Sequence, residues 1–337
     1  MTNEERIHAL QSLGYEDTEA HFLCLAALHS GYFVRRQFLA FVGAPKGWRD
    51  DSFAHKLIAR KHCVATAFRH NHMVYRLSSK PFFTALDEHD NRNRREKQPA
   101  TIKNKLMALD FVLEHQDLSY LATEAEKVEY FTSTAYVPLE NLPAKRYQSL
   151  RNGQSTLRYF VEKFPIFVST PGAEQSTVSF CYVDEGVVST DGFKTFLAYY
   201  QPLFSSLAGY RIVYVAAQPY LAEKARRAFE GSRRNGSTAP LDPLTRDLLN
   251  YFQDRRKYEA RDFSGFDTAR IVHYREQKQR FVGFGFDDLY RHWLEEGDVA
   301  VLRKNGQRAS AAQSLSAPVG QFDTYLLRHN YELFGTL

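Results

Sequence analysis

Arg49, Ser52, Lys56 and Arg60 recur three or four residues apart, so in a helix they form one row about three turns long. Such a row suits the reading of base edges: arginine donates two parallel hydrogen bonds to guanine, and serine and lysine reach neighbouring acceptors. His55 stands in the same stretch. A second set of residues suits phosphate oxygens, which position a protein on a duplex without reading its sequence. It comprises Arg35, Arg36 and Gln37, then Lys46, the His70-Asn71-His72 triplet, and Arg92, Arg94 and Arg95. Asp50 and Asp51 work against this, because they favour a helix start but repel phosphate.

Other chemistry is thinly represented. Asp184-Glu185 follow an apolar run and stand where ligands collect in α/β sheets. Metal-assisted hydrolysis needs converging carboxylates, often with a lysine on the next strand to organise water, and Tyr210–Ala216 supplies neither. The pair therefore reads as a polar strand cap. His70-Asn71-His72 resembles the histidine pair of nicking enzymes only in part. Its middle residue suits a turn better than a buried strand, and no third ligand accompanies it. No Gly-rich phosphate loop and no strand-linked GxGxxG is present, and Gly283-Phe284-Gly285 is too short to count. The expectation is a non-enzymatic chain with no catalytic residue, no metal and no cofactor.

These residues need elements to position them. A helix from Thr18, apolar around most of its circumference, should be buried and end at Ser30-Gly31. A short helix over Val34–Val42 would expose Arg35, Arg36 and Gln37, and Gly43 to Gly47 breaks the chain. The third helix, Trp48–Arg60, turns Phe53, Ala54, Leu57 and Ile58 inward. Cys63–Arg69 and Met73–Leu77 then form a hairpin with the His70–His72 tip. Short helices followed by a hairpin imply a winged helix-turn-helix, with the third helix entering the major groove.

Val34-Arg35-Arg36-Gln37-Phe38-Leu39, Val74-Tyr75-Arg76-Leu77 and the short helix after them resemble the winged-helix proteins of bacterial plasmids and integrative elements, including replication-relaxation-like ones. The likeness covers about the first quarter of the chain. It implies a bacterial DNA-binding protein tied to plasmid maintenance, transfer or gene control. A relaxosome or replication accessory role, or a nucleic-acid-processing enzyme with its site in the second half, is the alternative. A winged helix that docks protein is a third reading.

Charge distribution agrees with the first reading. Between Val34 and Lys105 stand sixteen Lys or Arg against six Asp or Glu, a net of +10, which leaves −5 for the rest of a chain that totals +5. A local basic field is what counterion release from DNA requires. The 337 residues, 44% hydrophobic and 14% aromatic, are ample for more than one core. The polar, acidic N-terminus and the lack of a long apolar run imply a cytoplasmic protein with no membrane partner. Cys24, Cys63 and Cys181 lie far apart on apolar segments and read as buried core thiols.

The domain plan is a winged-helix domain over 1–86, a basic linker and connecting helix over 87–125, and a mixed α/β domain over 126–337 for dimerisation, partner binding or sensing. The connecting helix, Thr101–His115, would turn Lys103 and Lys105 to solvent. In the second half, Leu157–Val168 and Thr177–Val183 read as strands, a long helix follows Asp191, and Tyr210–Ala216 is a strand buried on both faces. Strand, helix, strand, helix implies a parallel crossover. The expected partners are double-stranded DNA and a second copy of the chain, because paired recognition helices read paired half-sites.

Overall fold

The computed structural model describes residues 1–45, 48–68, 73–148, 155–161, 164–168, 177–186, 191–235, 243–260, 266, 268–296, 300–301, 319–329 and 331, and it is a mixed α+β structure with several sheets. α1 (Asn3–Ser12) starts at Thr2, whose hydroxyl accepts from the Glu5 N–H while the Glu5 carboxylate accepts from the Thr2 N–H. α2 (Asp17–His29) buries Ala20, Phe22, Leu23, Ala26 and Ala27 completely, as its all-round apolar surface requires. It stops at Ser30-Gly31. Gly31 has a φ of +81°, and a side chain there would lie 2.4 Å from the Asn93 carbonyl oxygen.

β1 (Tyr32–Val34), α3 (Arg35–Val42), α4 (Trp48–Ala59), β2 (Cys63–Ala67) and β3 (Met73–Leu77) follow, with the strands in an antiparallel sheet ordered β1-β3-β2. Phe22 organises this region, its ring 5.2–5.9 Å from those of Phe33, Phe38, Phe41 and Phe53. Edge-to-face pairs of this kind add to the area they bury. Phe53, Ala54 and Leu57 seat α4 on that cluster, and Phe82 and Phe83 of α5 (Lys80–Ala85) close it.

α6 (Pro99–Glu114) leads into β4 (Ser119–Tyr120), α7 (Glu124–Glu129) and a separate hairpin of β5 (Ala144–Gln148) with β6 (Ser155–Tyr159). Then come β7 (Ile166–Val168), β8 (Val178–Asp184), α8 (Asp191–Ser206), β9 (Gly209–Ala216), α9 (Pro219–Asn235) and, far along the chain, β10 (Val319–Leu326). The second sheet has the order β10-β9-β8-β7-β4. β8, β9 and β10 run parallel, and β7 and β4 are antiparallel to their neighbours. β8-α8-β9 is thus a parallel crossover, and Tyr210 and Ile212–Ala216 of β9 are buried.

Compactness divides the chain into Met1–Arg233 with Pro318–Leu337, and Arg234–Ala317. The second unit contains α10 (Pro243–Glu259), α11 (Thr268–Arg280) and α12 (Phe284–Glu296), packed through Leu248, Phe252, Tyr274, Tyr290 and Trp293. Arg255 joins two of these helices, with its guanidinium 4.2 Å over the Tyr290 ring and 2.6 Å from Asp287.

Several expectations need correction. The chain does not divide near residues 87 or 126. The stretch expected as a linker buries Asn91 and Asn93, and the Asn93 amide donates to the Ala27 and Leu28 carbonyls at the end of α2. α6 is no connector either. It buries Ile102, Lys103 and every residue from Lys105 to Val112, because it touches α2, α3 and β1 as well as β8 and β9. Leu157–Val168 is two strands in different sheets, separated at Phe160, whose φ is +48°. α9 continues to Asn235, past Glu230-Gly231, where the glycine in the sequence reads as a helix end. β10 escaped notice because it follows a long interval and pairs with a strand about a hundred residues earlier. Gly306–Pro318, whose richness in Ser, Ala and Gln reads as a loop in the sequence, lies outside the described residues.

Candidate functional site

α4 presents one face to solvent, on which Asp51, Ser52, His55 and Ala59 are exposed while Phe53, Ala54 and Leu57 are buried. Ile58, expected inward, is 44% exposed and extends this face. The Arg49 side chain, Lys46, His70, Asn71 and His72 lie outside the described residues. Three of the expected cations are engaged within the protein. Arg35 pairs with Asp51. Lys56 Nζ donates to both carboxylate oxygens of Glu19, at 2.9 and 2.6 Å, which ties α4 to α2. Arg36 Nη2 donates to Asp110 at 3.0 and 2.9 Å and to the Tyr331 hydroxyl at 2.5 Å.

Gln37 corrects the expectation furthest, because it is fully buried. Its Oε1 accepts from the Val34 N–H, and its Nε2 donates to the Leu106 carbonyl and to Asp110, both at 2.8 Å. Tyr331 also donates to Asp110, at 2.7 Å. Asp110 thereby gathers Arg36, Gln37 and Tyr331 into a network that fastens α3 to α6. Such a network is stable only when each of its members is satisfied. Removal of Arg36 and Gln37 from the DNA-facing set follows directly.

The remaining basic residues are mixed. Arg60 is exposed, yet it donates to the Leu13 carbonyl and lies 5.6 Å from the Tyr15 ring. Arg92 stacks 3.8 Å over Tyr147. Arg94 is half-buried, and its Nε is buried without a hydrogen-bond partner, whereas Arg95 is exposed. Burial, with the charges of Arg95 and Arg92, holds the Lys97 ammonium below its usual range.

A cleft of about 330 Å³ opens where β8 and β9 end. Lys103, Asp184, Glu185, Gly186, Ala217, Gln218, Tyr220 and Leu221 line it. Asp184 is buried. Its Oδ1 accepts from the Gly186 N–H at 2.7 Å and its Oδ2 accepts from the Tyr214 hydroxyl. Burial, then the Asp184 carboxylate, raise the Tyr214 hydroxyl far above its usual range, so it stays a donor. Gly186, at φ +73°, makes the return turn that a side chain would strain. Asn104 of α6 donates to the Val183 carbonyl at 2.8 Å and to Glu185 at 3.3 Å, pinning the strand end to the helix.

Lys103 is the cleft residue that the sequence hid. It is 7% exposed, where a solvent-facing position was expected, because β8 covers the polar side of α6. It lines the same cleft as Asp184 and Glu185 although it stands on a helix about eighty residues earlier, not on the next strand. Among the described residues no three His, Cys, Asp or Glu side chains converge in a way that could hold a metal. None of their helices is long and apolar enough to cross a membrane. Cys24, Cys63 and Cys181 are free and buried, and burial raises each thiol's pKa, to about 11 for Cys24.

Comparison of the chain with protein families, curated proteins and solved structures finds no match.

Proposed function

We propose that the chain is a sequence-specific DNA-binding protein whose N-terminal part acts as a winged helix-turn-helix. The observation carrying this reading is the order α2, β1, α3, α4, β2, β3 with the sheet arranged β1-β3-β2 and the Ser52–His55 face of α4 exposed. In that geometry a helix docked by its apolar side offers its outer side to the major groove. Arg49, Ser52 and His55 are the base-reading residues, and Arg60, Arg95 and the His70–His72 tip hold phosphate. Resemblance to proteins of plasmids and integrative elements supports a regulator of such an element, acting as a homodimer on a two-fold site.

Ionic strength gives the test. Affinity for the duplex upstream of its own gene and for a shuffled duplex is measured across a salt series. The native duplex should keep its advantage at moderate salt. Because Arg35, Arg36 and Lys56 are engaged internally, the logarithmic salt slope should be shallower by roughly three than if all three released counterions. Equal, steep loss on both duplexes would reduce the reading to general DNA binding, and no binding at low salt would overturn it.

A further inference from the structure

The β5–β6 hairpin forms a sheet of its own and carries charge of one sign. Ala144–Tyr159 holds Lys145, Arg146, Arg151 and Arg158 and no aspartate or glutamate. Lys145 lies directly opposite Arg158, a like-charge pair that weakens the ladder. A two-stranded ribbon is marginal by itself, so this one depends on what its inner face touches. Strand alternation puts Lys145, Tyr147, Thr156 and Arg158 on that face. The Arg92 guanidinium stacks 3.8 Å over Tyr147, Lys145 lies 5.4 Å from the Tyr199 ring, and Arg158 donates to Glu124 at 2.8 Å. The outer face carries Arg146 with Leu157 opposite it, and both are exposed.

Arg92 ties the ribbon to a second basic stretch. In the adjoining segment Arg92, Arg94, Arg95 and Lys97 stand against one acid, Glu96. That segment is fixed in turn to the winged-helix sheet, where Arg76 of β3 donates to the Arg94 carbonyl at 2.8 Å. Cations thus follow one another from β3 through Arg92 and Arg95 to the hairpin. Among the described residues no ion pair engages Arg92, Arg95 or Arg146, whereas Arg35, Arg36 and Lys56 are paired within the fold. Stacking occupies the face of the Arg92 guanidinium and leaves its N–H edge able to donate.

We propose that the β5–β6 hairpin is a second contact with duplex DNA, in which Arg146, with Arg95 and Arg92 of the adjoining segment, holds the phosphate backbone. Charge selects the occupant: an acid-free ribbon beside unpaired arginines is complementary to a polyanion whose charges repeat along its length. A two-stranded ribbon also has the dimensions to lie along a DNA groove. The contact adds affinity and no base recognition, because a guanidinium on a phosphate reads no sequence. The inference rests on the DNA-binding reading for its partner, but not on α4 as the reading helix.

The test measures affinity of the full chain for the native and the shuffled duplex across a salt series, beside the urea midpoint of each variant. Arg146→Gln should lower the logarithmic salt slope by about one, and Arg146→Gln with Arg95→Gln by about two, equally on both duplexes. Both residues are exposed, so the midpoint should not move. Arg146→Lys should keep the parent slope, which a merely structural role would not require. Lys194→Gln, an exposed lysine paired with Asp191, should leave the slope unchanged. An unchanged slope in the double variant, while Ser52→Ala with His55→Ala erases the preference for the native duplex, would overturn the hairpin contact and leave the α4 reading standing. The reverse result would uphold the hairpin and overturn α4. No binding by the parent at low salt would overturn both.

Discussion

α4 and α6 are the same kind of sequence, a stripe of apolar residues with lysines or arginines between them, and the fold uses them in opposite ways. α4 is covered on one side only, so Ser52 and His55 remain in solvent and Lys56 reaches sideways to Glu19. α6 lies between two layers. Charged residues along its middle are covered like the apolar ones, so that Lys103, Lys105 and Asp110 are all buried, while Thr101 and Glu114 near its ends are exposed. A charge on a helix with one covered face is a surface feature, whereas on a helix with two covered faces it becomes a fastening or a site, since burial without partners costs several kcal/mol.

Removing the α6 fastening should have the largest effect. Asp110→Ala leaves Gln37 and Arg36 without their shared acceptor and should destabilise the chain by about 3 kcal/mol, read as a lower urea midpoint. If the loss is below about 1 kcal/mol, the network does not join α3 to α6 as described.

Next in size is a pH effect beside α6. Burial and the neighbouring charges of Lys127, Lys105 and Arg6 push the His29 imidazole down to about 3. The folded state therefore keeps His29 neutral while the unfolded chain protonates it near pH 6.5, so stability falls as the pH drops below that value. Between pH 6.5 and 5 the loss should be about 2 kcal/mol, and His29→Gln should flatten the dependence. A midpoint that does not move over this range in the parent protein would show that His29 protonates in place.

The α4 charges should matter less. Lys56→Ala removes a pair whose lysine is 24% exposed and should cost about 1 kcal/mol, with the DNA salt slope unchanged. Ser52→Ala and His55→Ala should change stability by less than about 0.5 kcal/mol, yet narrow the difference between native and shuffled duplexes. A shallower salt slope in Lys56→Ala would return that lysine to the phosphate-facing set and erase the contrast between the two helices.

What the sequence made legible follows the same division. The bounds of α2, α3, α4 and the hairpin strands lie within a residue or two of expectation, because each has a local apolar pattern, all round in α2 and on one face in α4, with turn or capping residues at its ends. The parallel crossover was legible in the apolar run of β9. Arg36 and Gln37 were misread because their partners, Asp110 and Tyr331, are about seventy and three hundred residues away, beyond any local pattern. Lys103 was misread for a related reason. Helical periodicity places one buried face and cannot show that a second layer will cover the other.

The most direct test of the DNA-binding reading is a duplex titration, at one low salt concentration, of the double variant Ser52→Glu with His55→Glu. Both positions are exposed and lie outside the core, so the fold should survive while two carboxylates face any bound phosphate. Affinity for the native duplex should fall by at least about tenfold with the unfolding midpoint unchanged. Undiminished affinity in a folded variant would mean that DNA is held elsewhere, and the proposed role of α4 would be wrong.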